Sequence, residues 1–195
     1  MGKTVDFYYD YGSPTAYLAW TQLPAICDKH GATLNYKPIL LGGVFKGTDN
    51  QSPVVIKPKG KWLLDDVARY AKHYGVRYAM NPHFIVNTMP AMRGAIWAQA
   101  SGQIEAYNTA MYTAMWADQK DIAQPDVIEE VLTTAGLDAA AMGDAIQQPD
   151  IKESLIDATN AAVETGVFGA PTMIVGDELH FGQDRLEWVE RALAA

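Results

Sequence analysis

Two hydrophobic periods divide the chain, one of strands and one of helices. Residues 3–9, KTVDFYY, are rich in β-branched and aromatic side chains and predict a buried strand. From Pro14 to His30, Ala16, Ala19, Trp20, Leu23, Ile26 and Cys27 recur at helical spacing, and Gly31 suits the helix end. Residues 33–39, TLNYKPI, predict a second strand, and the helix between the two is long enough for a right-handed parallel crossover. Residues 40–62 are rich in Gly, Pro, Lys and polar side chains and predict a long loop. Loops beyond about 12–15 residues are usually functional or disordered. From Leu63 to Thr165 the pattern is helical, in segments at 63–74, 88–101, 103–117, 125–135, 138–147 and 150–165. Asn87-Thr88 and Gln124-Pro125 predict helix starts, and Gly102 and Gly136 predict breaks. Strand character returns in PTMIV (171–175), followed by a tight turn at Gly176-Asp177 and a hairpin partner, ELHF (178–181). A closing helix from Asp184 to Ala195 places Leu186, Val189 and Leu193 on one face.

Without its helical block the order is β-α-β then β-β-α, the layout of a thioredoxin-like domain. The expected fold class is α/β, a thioredoxin-like domain with a large all-helical insertion. The expected division is 1–45 with 166–195 for the thioredoxin-like part and 46–165 for the insertion. There is no internal repeat and no low-complexity tract. At 195 residues, with 49% apolar and 19% charged, the chain suits one large domain or one domain carrying an insertion, and the composition argues against disorder. A net charge of −8 argues against nucleic acid and anionic membrane as partners. No run of about 18 apolar residues predicts a transmembrane helix. Asp6 and Asp10 interrupt what would be the apolar part of a signal peptide, so the cytoplasm is the expected compartment. Cys27 is the only cysteine, which excludes an internal disulfide.

Candidate chemistry starts at YGSPTAY, residues 11–17, where strand hands over to helix. Ser13-Pro14 suits a helix start, serine as the cap and proline in the first turn. The same helix end favours an anion. A thioredoxin-like redox enzyme puts its first C-x-x-C cysteine at this handover. Here the frame reads S-P-T-A, so dithiol exchange is excluded at this site, while a hydroxyl could donate to a thiolate brought by a ligand. Gly169-Ala170-Pro171 precedes a strand. It is a plain strand entry or, in a thioredoxin-like layout, a cis-proline facing the helix cap. In the second case Ala170 offers N–H and C=O groups to an extended thiol-bearing peptide. In FGQDRLEWV (181–189), Gln183 or Asp184 suits a helix N-terminus, and Asp184 could also bind an α-ammonium. Lys57, Lys59 and Lys61 form a solvated charge run, while Lys46 and Asn50 lie near Gly42-Gly43 in the same expected loop, where a lysine can hold a carboxylate. His83 has no evident partner for acid–base work. Phe84, Met89, Met92 and Trp97 read as core, although an aromatic pocket would use the same types. No metal-ligand spacing and no phosphate-cradling glycine motif occurs.

Four stretches together carry a family resemblance: DFYYDYGSPTAYLA, LGGVFKGTDNQSP, HFIVNTMPAMR and GVFGAPTMIVGDELHFGQDRLEWVERAL. In this order, over nearly the whole chain, they resemble the 2-hydroxychromene-2-carboxylate isomerases and their kappa-class glutathione transferase relatives. The resemblance implies glutathione as cofactor, a small aromatic carboxylate as substrate and a homodimer. It implies Ser13 beside the glutathione sulfur, Ala170 on the cysteinyl backbone, and Gln183 and Asp184 on the γ-glutamyl group. It also implies Asn50 and Lys59 as glutathione contacts, with Lys46, and Asn50 beside it, on the substrate side. The implied activity is cis–trans isomerisation by reversible thiolate addition, or conjugation of electrophiles by the same site; a non-catalytic glutathione- or peptide-binding module on the same fold is the third reading.

Overall fold

The computed structural model describes residues 2–195. Four strands form one sheet in the order β2-β1-β3-β4: β1 (Thr4–Tyr9), β2 (Thr33–Pro38), β3 (Thr172–Val175) and β4 (Glu178–Phe181). β1 and β2 run parallel, joined by helix α1 (Pro14–His30), while β3 pairs antiparallel with both β1 and β4. Ser13 caps α1 by accepting from Ala16 N, and Gly31 closes it at φ 60°, a left-handed turn that glycine enters without steric cost.

The stretch expected to be a loop is largely helical. It holds α2 (Leu41–Gly47), a 3-10 turn (Pro53–Val55) and the start of α3 (Lys57–Tyr74). The composition misled because Pro58 lies in the first turn of α3, where its missing N–H costs nothing. Gly60 is there for packing: a Cβ on it would lie 2.8 Å from Val54 Cα, so α3 rests directly on the 3-10 turn. Gly60→Ala is expected to destabilise the protein by about 1–3 kcal/mol, read as a lower urea midpoint. An unchanged midpoint would mean that the turn can move aside freely.

The insertion continues through α4 (Met89–Ala100), α5 (Ile104–Trp116), α6 (Pro125–Thr134), α7 (Ala139–Ala145) and α8 (Pro149–Glu164). These match the predicted helices to within two residues at each end. Gly102 and Gly136 break the chain at φ 70° and 73°. The domain boundary expected at 45/46 falls inside α2.

Alternation along β1 sorts its side chains between two cores. Val5, Phe7 and Tyr9 join α1 (Leu18, Leu23) and the insertion (Met111, Leu132) in one large cluster, whereas Tyr8 turns to Ile39, Val44, Ala162 and Val167. The insertion thus shares the main core with the sheet. After β4 the chain makes a 3-10 turn (Gln183–Arg185) before α9 (Leu186–Ala194), so the closing helix starts later than expected. Asp184 does not cap it; its carboxylate pairs with Arg185 at 2.7 Å.

Candidate active site

Sheet register brings the predicted residues together. Tyr8 pairs with Thr172, and antiparallel pairing carries the chain before Thr172 past the chain that follows Tyr8. Ala170 therefore lies beside Ser13. Phe181 in turn pairs with Thr172, so Gly182–Arg185 leaves the sheet at the same end. These three segments, together with α2, the 3-10 turn and α3, enclose a cleft of about 410 Å³. Ser13, Asn50, Lys59, Ala170, Gln183 and Asp184 all line it.

Ser13 is 4% exposed. Its Oγ accepts from Ala16 N at 3.1 Å and donates to the Ala170 carbonyl at 3.0 Å. The Ala170–Pro171 bond is cis. The Ala170 carbonyl, expected to stand free, is held by a hydroxyl that can rotate away. Asn50 Nδ2 donates to Phe168 O at 2.8 Å and ties the segment after α2 to the one before Pro171. Gln183 is buried, and its carbonyl accepts from Tyr74 Oη at 2.8 Å. Lys59 and Arg185 are the cations on the wall, and Asp66 and Asp184 the carboxylates.

Lys46 departs from expectation. It does not line the cleft. Leu41 and Phe45, one helical turn apart on α2, face the cleft, and Lys46 is rotated by one residue, about 100°, into solvent. His83 also lies off the cleft, its half-exposed ring 3.9 Å from Asp121. Lys57 and Lys61 are exposed and off it, Lys61 paired with Asp65 at 2.8 Å. Phe84 packs on the core and also forms part of the wall, whereas Met92 is core, its sulfur accepting from Tyr11 N at 3.4 Å.

Sequence reasoning passed over several lining residues. Phe45, Trp62, Phe168 and Phe181 make the wall strongly apolar, and Trp62 is 56% exposed at its rim. Phe168 and Phe181 pack with ring centroids 4.7 Å apart. Both stand inside stretches singled out by resemblance, yet nothing in their spacing marks them as facing a ligand. Thr15 was also missed; its Oγ1 lies 3.0 Å from Ser13 Oγ.

Behind the cleft, buried Asp10 fastens three segments, two of which line it. Its carboxylate accepts from Gly12 N at 2.9 Å, from Leu41 N at the start of α2 at 2.9 Å and from Thr88 Oγ1 before α4 at 2.7 Å. Burial pushes its carboxyl up from the ordinary range, and these three donors pull in the opposite direction.

A thiol-bearing tripeptide such as glutathione fits these residues. An Ala170 carbonyl held only by side-chain hydroxyls can accept a peptide N–H. Asp184 suits an ammonium, and Lys59 a carboxylate. The volume lies in the range of small-ligand clefts.

Comparison with known proteins agrees over the same length. Residues 4–194 match the DSBA-like thioredoxin domain. The chain is 32% identical to a 2-hydroxychromene-2-carboxylate isomerase of Sphingobium xenophagum over 195 residues, covering 99% of each. It is 26% identical to glutathione S-transferase kappa 1 of Homo sapiens, covering 99% of this chain and 92% of that protein. A solved structure of 2-hydroxychromene-2-carboxylate isomerase superposes with a TM-score of 0.90 at 30% identity, covering 98% of this chain and 94% of the other.

Proposed function

The chain belongs to the DSBA-like thioredoxin family and, within it, to the 2-hydroxychromene-2-carboxylate isomerase family, and from that premise we propose a glutathione-dependent isomerase. Its substrate would be 2-hydroxychromene-2-carboxylate or a similar aromatic-pathway 2-oxo acid, and its product the trans benzylidenepyruvate. The observation that carries this reading is the Ser13 hydroxyl, 3.0 Å from the Ala170 carbonyl, in a cleft that also gathers Asn50, Lys59, Gln183 and Asp184.

Glutathione, when bound, supplies a thiolate that adds reversibly to a conjugated double bond, allows rotation about it, and leaves. Ser13 donates its hydroxyl proton to that sulfur, aided by the positive end of α1. Ala170 pairs with the peptide backbone. Asp184 and Gln183 hold the γ-glutamyl end, with Asn50 and Lys59 on the rest of the peptide. Phe45, Trp62 and Phe84 offer apolar faces to the substrate ring and exclude water from the reacting carbons.

The place of Lys46 favours a second reading, a kappa-like transferase that releases the conjugate. Among the described residues the wall offers only Lys59 and Arg185 as cations, and Arg185 is paired with Asp184, so little remains for a substrate carboxylate.

Mass balance separates the two. With glutathione well below the concentration of 2-hydroxychromene-2-carboxylate, an isomerase converts many equivalents and leaves free thiol undiminished. One thiol lost per product would sink the isomerase reading in favour of conjugation. Absence of glutathione binding by calorimetry, with an intact fold, would favour a module that does no chemistry.

A further inference from the structure

We propose that Thr15 is a positioning residue for the thiolate, acting through Ser13 as the second member of a hydroxyl pair; this rests on the glutathione reading above. Thr15 lies in the first turn of α1, half-buried, on the wall of the cleft. Its Oγ1 is 3.0 Å from Ser13 Oγ and 3.4 Å from the Ala170 carbonyl. These three oxygens share two hydroxyl protons.

Two protons serve these contacts, and the distances set the direction: Ser13 is the nearer donor to Ala170 O, at 3.0 Å against 3.4 Å for Thr15. Ser13 gives its single proton to Ala170 O, and Ser13 Oγ already accepts from Ala16 N. The remaining short contact, Thr15 to Ser13, is then satisfied with Thr15 as donor. Ser13 Oγ thus accepts two hydrogen bonds and donates one. Hydrogen bonds in such a chain polarise one another, so a hydroxyl that accepts two is a stronger donor. When a ligand N–H takes the Ala170 carbonyl, the Ser13 proton is released toward the sulfur, while Thr15 and Ala16 continue to hold Ser13 Oγ in place. Thr15 Oγ1 also lies 3.4 Å from the same carbonyl, but its single proton serves the shorter contact to Ser13, so the ligand displaces one hydroxyl contact, that of Ser13.

The second hydroxyl comes from the residue that fills the second x of the S-P-T-A frame. Its side chain reaches back toward the cap because Cβ vectors in a helix tilt toward the N-terminus. Valine at this position would keep the branched shape and remove only the hydroxyl.

The test is titration of the bound thiol. Glutathione is added to wild type and to Thr15→Val, and thiolate formation is followed by its ultraviolet absorbance against pH. In wild type the bound thiol should ionise below free glutathione. In Thr15→Val its titration should move up by about 0.5–1 pH unit, the equivalent of one ordinary hydrogen bond. Turnover should fall roughly 3–10-fold, while the Kd of S-methylglutathione, which has no thiol proton, changes less than about twofold. Thr15→Ser should restore the titration. In a Ser13→Ala background Thr15→Val should have no further effect, because residues acting in series are not additive. A helix-start role alone would lower the melting temperature and leave the titration in place, which overturns the proposal. Additive losses in the double variant would also overturn it. Failure of wild type to bind glutathione removes the parent reading together with this one. A depressed thiol in wild type that is unchanged in Thr15→Val removes this one alone.

Discussion

Ser13→Ala is expected to lower turnover about 10–100-fold. A hydrogen bond to a charged group contributes about 1.5–3 kcal/mol, and each 1.36 kcal/mol on a barrier is about tenfold in rate. The bound thiol should ionise correspondingly higher, so the loss should be largest at low pH, where the thiolate limits the rate, and smaller as the pH rises through the new value. A second effect is separable. Ser13 caps α1 through Ala16 N at 3.1 Å, and losing such a cap costs about 1 kcal/mol. In a chain of this length that lowers the melting temperature by about 2–4 °C. The activity loss should therefore persist well below the melting transition. Steady-state rates across pH at limiting glutathione, alongside a thermal melt, separate the two. Full activity in the variant at every pH would exclude Ser13 from the chemistry.

Trp116→Ala should have the largest effect on stability, about 3–5 kcal/mol out of the roughly 5–15 kcal/mol typical of a folded domain. The ring is fully buried, stacks near Tyr78 with centroids 6.1 Å apart and tilts against Phe84 at 5.7 Å. Its Nε1 donates to the Tyr11 carbonyl at 2.7 Å. Truncation leaves a cavity and an unpaired buried carbonyl at once. Trp116→Phe keeps most of the packing and should cost about 1–3 kcal/mol. Because Tyr11 lies two residues before Ser13 and Phe84 forms part of the cleft wall, Trp116 also joins the insertion to the site. Urea denaturation measures the difference; a Trp116→Ala protein within about 1 kcal/mol of wild type would show that this joint carries little of the fold.

Much of the architecture was legible because its signals are local. The strand of residues 4–9, the capped helix after Ser13 and the glycine stops at Gly31, Gly102 and Gly136 each follow from a few neighbouring residues. The stretch 40–62 was misread for the opposite reason. Pro58 and Gly60 look like loop residues until it is known that one occupies a helical first turn and the other touches Val54. Composition reports what a residue tolerates, and tertiary contact decides which tolerance is used.

The site divides in the same way. The residue types at Ser13, Asn50, Lys59, Ala170, Gln183 and Asp184, and the resemblance they carry, were readable from sequence, and all six line one cleft. Lys46 was placed there by analogy, and helical rotation turned it away. Thr15 stands inside the S-P-T-A frame with no visible partner in sequence, since a distance between two hydroxyls on one helical turn and a carbonyl 155 residues away is not a property of the string. By itself the sequence determined most of the elements and the absence of a cysteine from the S-P-T-A frame. Only the tertiary structure decided which side chains surround the cleft beside Ser13, because antiparallel pairing of β1, β3 and β4 brings three distant segments out at one end of the sheet.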